Sequence, residues 1–148
     1  MFPDKLKPID ASGVHHVAIN VRNLDHSAEF YTKLLGLHKI RRTGFLQVLA
    51  KGAVSLHLFQ SPDPSTAKPP PNWKQLGVQH VALRVLDEDL DAINDRITLA
   101  GITTQGPLDN TDGRALYIRD PDGTVIELCA ARPSPERERS SRKGANLA

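Results

Sequence analysis

Four polar side chains stand in segments that are otherwise aliphatic: His16, His57, His80 and Glu127. A carboxylate buried without a partner costs several kcal/mol, so Glu127 requires a cation or a strong hydrogen-bond donor. Three imidazoles and one carboxylate form a nitrogen and oxygen donor set that suits a divalent Zn, Ni, Co, Mn or Fe(II) ion. The residue types therefore predict one divalent metal ion per site, bound by these four side chains, with room for water or a substrate.

Two of the four residues follow an internal repeat. The segment VHHVAINV at residues 14–21 returns as VQHVALRV at residues 78–85, so His16 and His80 occupy equivalent positions. A single histidine in an aliphatic strand is usually a core residue with a satisfied hydrogen bond. A pseudo-twofold repeat, however, brings two equivalent imidazoles together, and this favours a metal site.

The second pair comes from the last strand of each copy. Aligning VSLHLF at residues 54–59 with TVIELC at residues 124–129 places His57 opposite Glu127. The competing interpretation is that both side chains point into solvent, because a strand register read from sequence can be wrong by one residue. The two repeated histidines would then be core residues, and no metal site would exist.

Each copy is predicted to form a β-α-β-β-β module. In the first copy, Asp25 is expected to cap an amphipathic helix that ends at Gly36. In the second copy, Asp87 leads into a helix that ends at Gly101 and whose apolar face is Leu90, Ile93, Ile97 and Ala100. The strands after each helix are predicted at residues 37–40, 45–50 and 53–60, and at 102–105, 115–119 and 124–131. The fold class is α+β, with two tandem βαβββ modules forming a cupped mixed sheet around the metal.

The domain boundaries follow from composition. Five of the eleven prolines fall in residues 61–72, which therefore cannot form regular structure. The predicted organisation is an N-terminal extension at 1–12 and one domain at 13–131, followed by a disordered basic tail at 132–148. Within the domain, modules at 13–60 and 77–131 flank a proline-rich linker at 61–76.

Composition also limits the functional classes. Cys129 is the only cysteine, which excludes an intramolecular disulfide and fits a reducing cytoplasm. The net charge is +2, and the basic excess sits largely in the tail, so we expect no nucleic-acid partner. The N-terminal residues lack a signal-peptide pattern, and no apolar run is long enough for a membrane span. Of the remaining histidines, His15 should point away from His16, while His26 and His38 are expected at the surface.

Three segments resemble the vicinal oxygen chelate superfamily, which includes glyoxalase I, extradiol dioxygenases and bleomycin-binding proteins. They are VHHVAINVRNLDHSAEFYTKLLGL at 14–37, VQHVALRV at 78–85 and YIRDPDGTVIEL at 117–128, and the resemblance extends over about residues 13–131. It implies paired βαβββ modules around a metal whose ligands lie on the first and last strand of each module. In this chain, the resemblance places His16, His57, His80 and Glu127 at these ligand positions.

The resemblance favours a glyoxalase-I-like lyase or isomerase acting on a small carbonyl compound or thiol adduct. Glyoxalase I has a glutamate where this chain has His57, which leaves Glu127 as the catalytic base. Fosfomycin-modifying members carry a threonine two residues after the first histidine, and Ala18 stands there. Tyr117 and Arg119 are candidate substrate contacts, of which one is expected to face the pocket, with surface or packing roles as the alternative.

Two other functions stay open. His16, His80 and Glu127 also form the two-histidine, one-carboxylate set of a non-haem Fe(II) extradiol-type dioxygenase, although His57 would crowd the oxygen site. A non-enzymatic drug-binding protein is the third possibility, against which the retained ligand set counts. Arg41, Arg42 and Arg114 could anchor an anionic substrate, and solvated arginines are the alternative. We expect a homodimer, in which the modules pair within one chain or across two chains.

Overall fold

The structure is a computed structural model that describes residues 7–71, 74–85, 89–111 and 113–131. The chain divides into two compact units, Met1–Ala67 and Lys68–Ala148. Asp87 and the predicted basic tail at 132–148 lie outside the described residues. None of the helices in the described ranges combines the length and the apolar character that crossing a membrane would require.

The first unit contains one helix and a four-stranded mixed sheet. Its elements are β1 (Val17–Val21), α1 (Leu24–Leu35), β2 (His38–Arg42), β3 (Leu46–Lys51) and β4 (Val54–Gln60). The strand order is β1-β4-β3-β2, with β1 parallel to β4 and the other pairs antiparallel. This is the predicted β-α-β-β-β order of the first module.

Helix α1 begins two residues earlier than the sequence pattern indicated. Asn23, not Asp25, is the N-cap: its backbone is extended, and its side-chain oxygen accepts a 2.9 Å hydrogen bond from the His26 N–H. Asp25 instead lies in the first helical turn, where its negative charge interacts favourably with the helix dipole. The predicted end is confirmed, because Gly36 adopts the left-handed conformation, with φ of 64°.

The second unit repeats this arrangement. Its elements are β5 (Val81–Val85), α2 (Leu90–Leu99), β6 (Thr104–Asn110), β7 (Gly113–Arg119) and β8 (Val125–Ala131). The order β5-β8-β7-β6 again has a parallel first pair. The two-module fold is confirmed, and the strands of the two modules form two separate four-stranded sheets.

Helix α2 confirms three of its four predicted apolar positions. Leu90, Ile93 and Ile97 are buried, whereas Ala100 is exposed because it is the C-cap residue and no longer continues the helical face. Strand β6 extends beyond its predicted end at Gln105. It continues to Asn110 through an irregularity that contains Gly106 and Pro107.

Each sheet packs one face against its own helix. In the first unit this face contains the fully buried side chains of Leu49, Leu56 and Leu58, and α1 contacts β3 and β4. In the second unit α2 contacts β6 and β7, and the buried face contains Leu116 and Ile126. Side chains alternate along a strand, so the opposite face of each sheet presents the residues between these leucines and isoleucines.

The connections between the elements are irregular where they are described. Residues 61–71 contain neither helix nor strand. In the turn between β7 and β8, the Asp120 carboxylate accepts hydrogen bonds from the N–H groups of Asp122 (3.0 Å) and Thr124 (2.8 Å), and Gly123 has a positive φ of 94°. This turn fixes where β8 begins, and so sets the register of Glu127.

Candidate metal centre

The first predicted ligand pair lies on the face of the first sheet that is turned away from α1. His57 is in the middle of β4, and its register partner on β1 is Ala18. His16 immediately precedes β1, two residues before Ala18. The imidazole rings of His16 and His57 are stacked, with centroids 3.9 Å apart and planes 10° apart. The first unit therefore brings these two histidines into direct contact.

His15 also belongs to this cluster. Its Nδ1 lies 2.8 Å from Nδ1 of His16, and the two rings meet edge to face at 5.1 Å. The expectation that His15 points away from His16 was wrong, because β1 begins only at Val17 and the alternation of a strand does not extend to these residues. The sequence indicated this contact only through the adjacency of His15 and His16.

The environment of His57 favours its neutral form. Partial burial lowers the pKa of His57, and the nearby His16, His15 and Arg41 lower it further because a second positive charge is unfavourable there. A neutral imidazole has a free nitrogen lone pair, which is the form that binds a metal. The electrostatics of the first pair are therefore compatible with a ligand role.

The second predicted pair lies on the corresponding face of the second sheet. Glu127 on β8 is only 6% exposed. Its Oε2 lies 2.8 Å from Nε2 of His80, the residue that precedes β5. Nδ1 of His80 lies 3.0 Å from the side-chain oxygen of Gln79. Glu127 does not point into solvent, so the competing interpretation of this strand is wrong.

Tyr117 completes the surroundings of Glu127. It is the register partner of Glu127 on the neighbouring strand β7. Burial raises the pKa of the Tyr117 hydroxyl, and a hydrogen bond to Glu127 raises this pKa further, because ionised Tyr117 would face a carboxylate. The Tyr117 ring also meets the His80 ring edge to face at 6.1 Å. The Tyr117 hydroxyl therefore keeps its proton beside the Glu127 carboxylate.

Arg119 stands two residues beyond Tyr117 on β7, and residues so spaced point to the same face. The expectation that only one of the two can face the site was therefore wrong. Arg119 donates a 3.1 Å hydrogen bond to the carbonyl of Gly123, next to the turn. Its visible role is to hold this turn, and its contact with a substrate stays a prediction.

The two pairs occupy equivalent positions in the two sheets. Ala18 pairs with His57 in the first sheet, and Ala82 pairs with Glu127 in the second. The register confirms the alignment of His57 with Glu127 that was made from sequence. Each unit supplies two candidate ligands, and within the described parts of the chain no group of three or more His, Cys, Asp or Glu side chains is gathered around one point. The four-ligand metal site stays a prediction.

The donor chemistry nevertheless fits a metal. Glu127 is a buried carboxylate whose oxygen meets an imidazole nitrogen, and His57 favours the neutral form. These are the groups that bind a divalent transition metal ion. His26 and His38 are exposed, as predicted. Gln79 was not anticipated, although its place directly before His80 mirrors that of His15 before His16.

Comparison with known proteins identifies related chains. Residues 13–128 match the family model of the Glyoxalase/Bleomycin resistance protein/Dioxygenase superfamily. The chain is 28% identical to Glyoxylase I 4 of Arabidopsis thaliana over 87% of this chain and 76% of that protein. It is 30% identical to the glutathione transferase FosA of Serratia marcescens over 78% of each protein. The argument from Ala18 against a fosfomycin-modifying activity stays a prediction.

The fold has solved counterparts. A glyoxylase/bleomycin resistance protein/dioxygenase domain from Frankia sp. EAN1pec matches 88% of this chain and 99% of its own length, with a TM-score of 0.69 and 24% identity. This similarity concerns the fold. It agrees with the two βαβββ modules described above.

Proposed function

Because the chain belongs to the Glyoxalase/Bleomycin resistance protein/Dioxygenase superfamily, we propose that it is a metal-dependent lyase or isomerase of the glyoxalase I type. Its substrate is a small carbonyl compound or a thiol adduct. The observation that carries this proposal is the buried carboxylate of Glu127, 2.8 Å from the His80 imidazole and opposite Tyr117 on the neighbouring strand. Such a carboxylate is positioned to accept and return a proton in a site of low polarity.

In this proposal His16, His57, His80 and Glu127 hold one divalent metal ion. The ligand pairs come either from one chain or from two chains of a homodimer. When bound, the ion acts as a Lewis acid toward neighbouring oxygens of the substrate. The metal is Zn, Ni, Co, Mn or Fe(II), which is the range that a set of three imidazoles and one carboxylate accommodates.

Glu127 is the base of the proposed reaction. Its carboxylate takes a proton from the carbon next to a carbonyl group and returns it to the adjacent carbon, so the substrate is isomerised without an external oxidant or reductant. Tyr117 lies opposite Glu127 on β7, and in this proposal its hydroxyl donates a hydrogen bond that limits the rotation of the carboxylate. The aliphatic neighbours Ile126 and Leu128 anchor β8 in the core and so hold Glu127 in place.

One observation favours a second function. His80 and Glu127 are in direct contact, and one more histidine would complete the two-histidine, one-carboxylate set of a non-haem Fe(II) dioxygenase. His57 counts against it. This residue stacks on His16, and as a fourth ligand it would take a coordination position that oxygen requires. Drug binding without catalysis is the third alternative. The buried Glu127 carboxylate beside His80 does not favour it, because drug binding does not require such a pair.

Metal analysis of the purified protein is the first test. We expect about one divalent ion per four-ligand site, a loss of metal in His80→Ala and in Glu127→Gln, and unchanged metal content in the control Glu29→Gln. Glu29 is an exposed carboxylate on α1 that pairs with Lys33. Metal content that is absent in the wild type, or unaffected by His80→Ala, contradicts the proposed site.

Turnover then separates the candidate reactions. Wild-type protein is offered the hemithioacetal of methylglyoxal and glutathione, and in a second assay a catechol with an oxygen electrode. The proposal predicts thioester formation that Glu127→Gln reduces by about 10²-fold or more and that Glu29→Gln leaves unchanged. Oxygen consumption without thioester formation supports the dioxygenase. Tight ligand binding with neither reaction supports sequestration.

A further inference from the structure

The face of the first sheet that presents His57 also presents an arginine. Ala18, His57, Val48 and Arg41 are consecutive register partners on β1, β4, β3 and β2. Directly opposed residues on neighbouring strands share a face, so these four side chains form one row across the sheet. The row carries the candidate ligand His57 at one position and a guanidinium group at its outer end.

A bulge in the edge strand places Arg41 in this row. The register between β2 and β3 shifts between Lys39 and Arg41, so that Ile40 is the extra residue. In an uninterrupted ladder Ile40 would oppose Val48, and Arg41 would turn toward the opposite face. The bulge therefore places Arg41, and not Ile40, opposite Val48 in this row.

A buried glutamine holds the bulge. Gln47 on β3 is 3% exposed, and its side-chain amide donates hydrogen bonds to the backbone carbonyls of Arg41 (3.0 Å) and Val48 (3.1 Å). A buried amide that binds the irregular backbone stabilises the position of Arg41 against a return to regular pairing. The buried Gln47 amide thus stabilises the backbone conformation that places Arg41 on the face of His57.

Arg41 differs from the other arginines that could bind an anion. Arg42 forms a 3.1 Å ion pair with Asp25 of α1, and Arg114 binds Asp91 through two nitrogens, at 2.8 and 3.3 Å. Within the described residues Arg41 forms no such pair with a carboxylate. Arg41 is linked to His57 through Val48, the register partner of both residues.

We propose that Arg41 is a specificity-determining residue that binds an anionic group of the substrate, a carboxylate or a phosphate. Guanidinium groups bind both through paired hydrogen bonds. Two strand spacings separate Arg41 from His57, or about 10 Å between backbones, so the anionic group lies at a distance from the reacting carbons. The assignment to a substrate rests on the proposed function.

In the second sheet, the position equivalent to Arg41 is not occupied by a cation. Its corresponding row is Ala82, Glu127, Tyr117 and Gln105, in which the neutral Gln105 occupies the position of Arg41. At this position of the row, binding of an anionic group is therefore assigned to the first unit. A small ligand with one negatively charged end satisfies the proposal, and a neutral ligand does not.

A titration with inorganic phosphate at constant ionic strength tests the anion site independently of turnover. In the metal-free wild type, the NMR signals of the Arg41 Nε–H and of the His57 ring should follow one saturating curve. Arg41→Gln should weaken phosphate binding, read at His57, about tenfold or more, and Arg41→Lys should restore part of it. The matched control Arg42→Gln removes the positive charge of the next residue, which points to the opposite face of the sheet. It should change the dissociation constant for phosphate less than twofold.

Three results overturn the proposal: a linear response at Arg41, an unchanged dissociation constant in Arg41→Gln, or an equal loss in Arg42→Gln. Turnover provides the second measurement. Arg41→Gln should raise KM about tenfold for the glutathione hemithioacetal, with kcat nearly unchanged and KM unchanged for the neutral adduct of 2-mercaptoethanol. If the wild type turns over neither adduct, the proposed reaction fails, and the phosphate titration still decides the role of Arg41.

Discussion

Replacing Tyr117 by phenylalanine removes one hydroxyl from the surroundings of Glu127 and changes little else. The carboxylate is 6% exposed, so water cannot freely take the place of the lost donor. A hydrogen bond to a charged group contributes about 1.5–3 kcal/mol. Glu127 keeps its 2.8 Å contact with His80, which places the expected loss near the lower end of that range, at about 1.5 kcal/mol.

Urea unfolding of the metal-free protein, followed by circular dichroism, measures this loss. The midpoint should fall without a change in the slope, and the melting temperature should fall by about 3–6 °C. A double-mutant cycle isolates the interaction. In the Glu127→Gln background, Tyr117→Phe should cost about 1 kcal/mol less than in the wild type, because the acceptor is no longer charged.

The cycle has a clear negative outcome. If Tyr117→Phe costs the same in both backgrounds, the hydroxyl does not bind the Glu127 carboxylate, and the account of this site is incorrect. Glu29→Gln serves as the control for removing a carboxylate, because Glu29 is exposed and pairs only across one turn of α1. Its effect on stability should be small, because solvent screens an exposed ion pair.

Three further results are expected. Asn23→Ala should destabilise the protein by about 1 kcal/mol through loss of the α1 N-cap, whereas Asp25→Ala should not remove a cap, and urea midpoints of both variants distinguish them. The Arg114 guanidinium holds the pKa of Asp91 below its usual 3.8, so this pair stabilises the fold above that pH and its contribution is lost as the pH falls through the lowered pKa. Carbon NMR titration should show the Asp91 pKa rising toward 3.8 in Arg114→Gln, and an unchanged value contradicts the pairing. Leu58→Ala should cost about 2–5 kcal/mol because its side chain is fully buried, and a loss below 1 kcal/mol would show that the core closes around the gap.

The repeat made the fold predictable. Residues 14–21 and 78–85 share a pattern of aliphatic side chains that is typical of a strand, and equivalent glycines follow the helix of each copy. This pattern depends on which face of an element meets the core, so it is visible in residue types alone. The N-cap of α1 was placed wrongly because Asn23 and Asp25 are both good capping residues, and backbone geometry chooses between them.

The sequence also identified His16, His57, His80 and Glu127 as equivalent pairs, since polar residues at repeated positions of aliphatic strands stand out. What these residues contact could not be read from it. The contact of Glu127 with His80 depends on a parallel pairing of β5 with β8, between segments more than forty residues apart. The contact of His15 with His16 depends on where β1 begins.

Among the arginines, the division of roles was decided only by the tertiary structure. In the sequence Arg41 and Arg42 are adjacent and of one type, and alternation alone does not say which faces His57. One extra residue in β2 places Arg41 on the face of His57, and the buried amide of Gln47 binds the Arg41 carbonyl at this bulge. By itself, then, the sequence determined the modules and the residues capable of chemistry, because hydrophobic periodicity and residue type are local properties. The partners of those residues were decided by strand register, a property of two distant segments at once.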